Sequence, residues 1–176
     1  MALRLFTALT VPRQIKDRLL SLDLPCPKIC PNIHLTLKFI GQTDEQLIPA
    51  LSRTLAAIDS PKFELTVAGL GLFKPGILWA GVKDKSSVRD LQQKIGASLR
   101  QALKMPEDKK SYFPHITLVR LKAPPSPDLL AAVSGSAGRD YGTFSVDSFC
   151  LFKSDLEPTG AVHTLIKSFP LTAETG

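Results

Sequence analysis

Residues 32–39 read NIHLTLKF, and residues 114–120 read PHITLVR. Both stretches alternate apolar and polar side chains. A period of two is the period of an extended strand, whose successive side chains point to opposite faces. The chain must therefore supply two half-buried strands. Ile33, Leu35, Leu37 and Phe39 read as the core side of the first, with Asn32, His34, Thr36 and Lys38 opposite. In the second, Ile116 and Leu118 lie behind His115 and Thr117. The same four-residue pattern, His–aliphatic–Thr–aliphatic, occurs in both strands.

The surrounding pattern repeats as well. A strand at 3–11 leads to a helix at about 13–22 that starts after Pro12, with Ile15, Leu19 and Leu22 on one face. The strand at 32–40 ends at Gly41, and Thr43 with Gln46 forms a capping box for a helix at 44–58. Strands at 62–73 and 77–83 form a hairpin around KPG. A helix at 86–104 carries Val88, Leu91, Ile95, Leu99 and Leu103 at helical spacing. Then come a strand at 113–121, a short helix at 127–134 and two strands at 143–153 and 161–169. From each of the first and third helices the order is α, β, α, β, β. A duplicated unit of this kind predicts an α+β fold for residues 1–176 as a single domain of two lobes. Two antiparallel sheets are expected to face a central cleft, with the helices outside. Clefts between lobes are where ligands bind.

His34 and His115 are two of only three histidines. Each projects from its strand together with a threonine two residues on, Thr36 or Thr117. A pseudo-twofold relation between the lobes would set the two pairs around one small volume. Two imidazoles suit acid–base chemistry at phosphorus without a metal. One, neutral, accepts a proton from the attacking group, and the other, protonated, donates to the departing oxygen. The unperturbed imidazole value, about 6.5, makes both states accessible near neutrality. Threonine hydroxyls can donate to the non-bridging oxygens. Lys38 shares the face of His34 and Thr36 and adds positive potential. Arg120 suits a phosphate contact, but strict alternation turns it away from His115 unless a bulge or the strand's end intervenes. A metal site is the rival reading. Threonine is a poor ligand and no HExxH or HxH spacing occurs, so no metal is expected. His163 reads as structural or peripheral, Phe39 as core, and Trp79 as core rather than a base-stacking surface. GLGLF at 69–73 lacks the spacing of a dinucleotide loop and opens no helix.

The net charge of +6 favours polyanionic partners weakly. The odd, low cysteine count (Cys26, Cys30, Cys150) predicts free thiols in a reducing compartment. No stretch is apolar enough to span a bilayer, and a cytoplasmic protein is expected.

The chain resembles the 2H phosphoesterase superfamily, and within it the RNA 2′,3′-cyclic phosphodiesterase family first described as bacterial 2′-5′ RNA ligases. RLFTALTVP, NIHLTLKFIG, FELTVAGLGLF, ILWAGV, YFPHITLVR and FSVDSFCLFKSDLEPTGAVHTLIKSFPL carry the resemblance over nearly the whole chain. It implies the bilobal fold just described and opening of RNA 2′,3′-cyclic phosphate ends to 2′-phosphates, with no metal or cofactor. It implies His34 as proton donor and His115 as proton acceptor, an assignment the residues alone leave open. It also implies reversible 2′-5′ ligation, an RNA end or small cyclic nucleotide as partner, and a monomer. Lys110 replaces the arginine usual before the second motif and is expected to contact substrate. His163 replaces a tyrosine and Gly76 an arginine. The competing readings are the same chemistry on ADP-ribose cyclic phosphate or 2′-5′ oligoadenylate, and a non-catalytic module that binds RNA ends.

Overall fold

The computed structural model describes residues 1–173. In chain order the strands and α-helices are β1 (Ala2–Thr10), α1 (Arg13–Leu20), β2 (His34–Asp44), α2 (Ile48–Ala56, after a 3-10 turn at Glu45–Leu47), β3 (Phe63–Phe73), β4 (Ile77–Val82), α3 (Ser86–Leu103), β5 (Ile116–Arg120), α4 (Pro127–Gly135), β6 (Asp140–Val146), β7 (Ser148–Glu157) and β8 (Gly160–Pro170). The fold class is α+β, as expected.

The local rules behind the helices are visible. Ile15 and Leu19 of α1 lie one turn apart and are buried. Val88, Leu91, Ile95 and Leu99 make the buried stripe of α3, which ends with Lys104 in the left-handed conformation, φ +51°. Asp84, two residues before α3 begins, accepts from the Ser86 amide at 3.2 Å. Ser126 caps α4 through the Leu129 amide at 3.2 Å, with Pro127 in the first turn. The capping box expected at Thr43 and Gln46 takes another form: Asp44 is the cap and accepts from the Gln46 amide.

The strands pair antiparallel in the order β6-β3-β4-β5-β2-β1-β7-β8. Where the sequence suggests two sheets, the structure has one continuous eight-stranded sheet with two four-stranded halves, because β2 and β5 pair across the middle. Between them, β2 and β5 share one aligned pair, Leu35 with Ile116. One half, β3 to β6, is a successive stretch of chain, and the other joins β1 and β2 to β7 and β8 from the far end. β3 follows β2 in sequence but pairs with β4, while β7 returns to pair with β1. The strand expected at 143–153 is in fact two, separated at Asp147. β6 completes one end of the ladder through β3, and β7 enters the other half. Because one residue connects strands near opposite ends of the order, the sheet has to curl. Backbone bonds between the same regions hold the curl: Leu171 donates to Asp147, Lys62 to Thr172, and Thr172 to Ser60, at 2.8–2.9 Å.

The core unites both halves. Leu5, Leu9, Leu35, Leu37, Leu78, Ala80, Ile116 and Leu118 of the sheet join Leu51 and Leu55 of α2 and the α3 stripe in one buried cluster. Burying each such leucine is worth about 1.5–3 kcal/mol. The opposite face of β2 and β5 carries the polar residues of the two motifs.

Candidate functional site

The register at the seam decides what the motifs can do together. With Leu35 aligned to Ile116 in an antiparallel pair, His34 lies across from Thr117, and Thr36 lies across from His115. The two motifs thus meet crosswise about a local twofold. Their burial patterns match. Ile33, Leu35 and Leu37 are buried around half-buried His34 and Thr36, and Pro114, Ile116 and Leu118 are buried around half-buried His115 and Thr117. The histidines are diagonal neighbours, a relation that sets side chains roughly 7–8 Å apart.

Each imidazole is oriented by the same local device. His34 Nδ1 lies 2.8 Å from the Asn32 carbonyl oxygen, and His115 Nδ1 lies 2.8 Å from that of Phe113. A carbonyl only accepts, so both Nδ1 atoms carry hydrogen and both Nε2 atoms are left for exchange. His34 Nε2 is 3.1 Å from the Thr36 hydroxyl. The Tyr112 hydroxyl donates to the Thr36 carbonyl at 2.8 Å, tying the loop before the second motif to the first motif's strand.

A bulge just beyond each motif then sorts the next residues. In the β1–β2 pair, Ala8 faces Thr36 and Thr7 faces Lys38, so Leu37 is extra. In the β4–β5 pair, Trp79 faces Thr117 and Leu78 faces Val119, so Leu118 is extra. An extra residue reverses the alternation that follows it. Arg120 therefore returns to the face of His115 and Thr117, and it is exposed. Lys38 is turned the other way. It is only 5% exposed and pairs with Asp108, so the structure does not bring it to the motif face. Phe39, expected in the core, is the counterpart of Arg120 and is 59% exposed. Lys110 is exposed on the loop before β5, and no ion pair among the described residues ties it to the motifs.

Aromatic rings wall both histidines. Phe6 lies 5.2 Å from His34, 5.4 Å from Phe152 and 6.0 Å from Phe39, centroid to centroid. On the other side Phe73 lies 4.9 Å from His115, and Phe73, Trp79 and Phe113 contact one another at 5.1–5.6 Å. Trp79 is thus part of the site's wall. Lys85 Nζ sits 4.0 Å over the Phe113 ring. His163, read from sequence as peripheral, has its ring edge-on to His34 at 5.0 Å and to Phe6 at 4.8 Å. Sequence reasoning missed its placement because it depends on the β7–β8 register, where Ser154 pairs with His163.

Burial governs the charge state of these imidazoles. Desolvation pulls His34 down to about 4, against the Asn32 carbonyl bond that favours the cation. His163, Lys16 and His115 depress it further. His115 is lowered by desolvation first and by Arg120 as well, with the Phe113 carbonyl opposing. Both imidazoles are therefore neutral at neutral pH in the free protein. Among the described residues, no group of three or more His, Cys, Asp or Glu is placed to hold a metal ion. Cys26, Cys30 and Cys150 are free thiols, and no described helix is long and apolar enough to cross a membrane.

The model of the 2′-5′ RNA ligase superfamily matches residues 31–158. An RNA 2′,3′-cyclic phosphodiesterase of Methanothermobacter thermautotrophicus is 30% identical over 168 residues, covering 90% of this chain and 89% of the relative. A protein of the same name from Thermus thermophilus is 29% identical, with 99% and 93% covered. Among solved structures, E. coli LigT in apo form superposes with a TM-score of 0.80 at 23% identity, covering 98% of this chain and 99% of LigT. The likeness to LigT is one of fold.

Proposed function

Because the chain belongs to the 2′-5′ RNA ligase superfamily, we propose that it is an RNA 2′,3′-cyclic phosphodiesterase that opens a cyclic end to a 2′-phosphate. The crosswise register of Leu35 with Ile116 carries this reading, because it sets two imidazoles and two threonines diagonally across one seam on one face of the sheet. The cyclic phosphate sits between the motifs. His115 Nε2 takes the proton of the attacking water, and His34 Nε2 protonates the departing 3′ oxygen. Thr36 and Thr117 donate to the non-bridging oxygens, and Arg120 adds charge where it develops in the transition state. Phe39 offers an exposed ring on which a nucleobase can stack.

The depressed value of His34 has a use in this scheme. An imidazolium whose resting value is about 4 is a strong acid, so it gives up its proton readily to an alkoxide. The approaching phosphodiester anion is what favours its protonation. Ligation is the same displacement with the 5′ hydroxyl of a second strand in place of water: its oxygen bonds to phosphorus as His115 takes its proton, the bond to the 3′ oxygen breaks as His34 protonates it, and a 2′-5′ phosphodiester results. All the groups that move protons belong to the chain, so no metal or nucleotide cofactor enters the scheme.

The test is an oligonucleotide ending in a 2′,3′-cyclic phosphate, incubated with the protein in excess chelator. A 2′-phosphate product is expected, with turnover reduced at least about a thousandfold in either His34→Ala or His115→Ala. Near-normal turnover in either variant would sink the two-histidine mechanism. Exclusive turnover of ADP-ribose cyclic phosphate or 2′-5′ oligoadenylate would keep the mechanism and replace the substrate.

A further inference from the structure

An in-line displacement at phosphorus puts the attacking oxygen and the leaving oxygen on opposite sides of the phosphate. This inference rests on the proposed function, with His34 as the acid. The leaving 3′ oxygen then faces His34 and the water faces His115. The ribose is attached through that leaving oxygen, so the terminal nucleoside, and the strand running from its 5′ carbon, lie on the His34 half of the sheet.

That half presents a second group of cationic and polar side chains. Phe6 pairs with Phe152, and Ser154, two residues on, pairs with His163. Alternation therefore sets Phe6, Phe152, Ser154 and His163 on the motif face. Arg4 is two residues before Phe6 on β1, on the same face, and exposed. Continuing the register in which Leu5 pairs with Lys153, Arg4 stands opposite Ser154, so Arg4, Ser154 and His163 form one row across three strands. Arg4 acts electrostatically on His163, in keeping with this placement. Among the described residues Arg4 has no carboxylate partner, and neither nitrogen of His163 has a hydrogen-bond partner. A guanidinium and an imidazole with uncommitted donors, on the strand row beside the acid and on the ribose side of the phosphate, suit a second phosphate in charge and hydrogen-bonding capacity.

We propose that His163 and Arg4 form a subsite for the phosphodiester one nucleotide upstream of the cyclic end, so that the enzyme selects RNA strands over free cyclic mononucleotides. The subsite adds binding energy remote from the reacting bond. The Phe6 ring, packed against both His34 and His163, keeps the two phosphate sites at a fixed separation.

The experiment compares three substrates with the same terminal base: a 2′,3′-cyclic mononucleotide, a dinucleotide with that cyclic end, and the same dinucleotide with its linking phosphate replaced by an uncharged methylphosphonate. Wild type is expected to prefer the charged dinucleotide in kcat/KM, through KM, and to treat the methylphosphonate like the mononucleotide. His163→Phe keeps a ring packed on Phe6 and removes both nitrogens, while Arg4→Gln removes the charge. Each is expected to lower the ratio of charged dinucleotide to mononucleotide roughly tenfold, whatever common factor both rates lose. Each is also expected to be nearly indifferent to the methylphosphonate. A wild type with no preference, or one that keeps its preference on the methylphosphonate, overturns the subsite and leaves the proposed function intact. An unchanged ratio in both variants does the same. A wild type that hydrolyses none of the three overturns the proposed function itself.

Discussion

Lys38 and Arg120 look alike in sequence as candidates for phosphate binding, and the structure separates them by a single extra residue on each strand. The bulge at Leu118 returns Arg120 to the face of His115, and the matching bulge at Leu37 sends Lys38 to Asp108. Arg120→Ala is expected to lower kcat/KM for a cyclic-phosphate end about tenfold or more, the worth of a hydrogen bond to a charged group. Lys38→Met is expected to leave kcat/KM within about a factor of two, since Lys38 lies away from the motif face and Asp108, itself half exposed, is left to solvent. A loss of kcat/KM in Lys38→Met as large as that in Arg120→Ala would return Lys38 to the substrate. The histidines make a prediction of their own. In the proposed mechanism the productive free enzyme carries one proton on the pair, and burial holds both imidazoles below their ordinary value of about 6.5. As pH rises past those values the protonated member is lost, so kcat/KM is expected to peak on the acid side of about 6.5. It then falls about tenfold per pH unit above the peak. An optimum in the alkaline range would contradict the desolvated site.

At the scale of elements, β2 and β5 were the most legible part of the chain. Strict alternation around His34 and His115 is a strand signal that tertiary packing had no reason to override. The bulges were not legible, because Leu37-Lys38 and Leu118-Val119 look like ordinary strand residues, and the pairing partner alone reveals the extra position. Gly41 illustrates the same limit. It reads as a strand terminator, yet at φ +84° it sits where the β1–β2 register shifts and the strand continues to Asp44. GLGLF has its explanation across the β3–β4 pair. Gly71 lies directly opposite Trp79, and a Cβ there would overlap the indole. The indole in turn leans on Phe73 and Phe113, and Phe73 on His115. Gly71→Ala is therefore expected to cost about 1–3 kcal/mol in stability, the usual range for overpacking. It is also expected to lower kcat, because the displaced rings carry His115 with them. Melting curves and steady-state kinetics on the one variant check both. A destabilised protein with unchanged kcat would show that the aromatic wall does not position the histidine.

For the whole molecule, the repeated order of elements points to a duplicated α+β unit but not to how the chain divides between the two halves of the one sheet. FSVDSFCLF reads as one apolar run, and nothing in its composition marks Asp147 as the point where the chain leaves one half for the other. That crossing has a physical consequence. One half is built from β1, β2, β7 and β8, drawn from both ends of the chain, and the segment between them supplies the other half. α3, which leads into β5, packs against β2, and α1, which leads into β2, packs against β6. The apolar cluster is continuous across both. Neither half can lose its pairing without exposing core that belongs to the other, so the protein is expected to unfold as one unit. Trp79, the only tryptophan, reports on the half that contains β4, while far-ultraviolet dichroism reports on both. In urea the two signals are expected to trace one transition with one midpoint, and activity, which in the proposed mechanism draws on His34 from one half and His115 from the other, is expected to vanish along the same curve. A Trp79 transition separated from the dichroism transition would mean that the seam between β2 and β5, with its single aligned pair, yields before either half does. Activity lost well before both signals would place that opening at the site itself, where the two histidines meet across the seam.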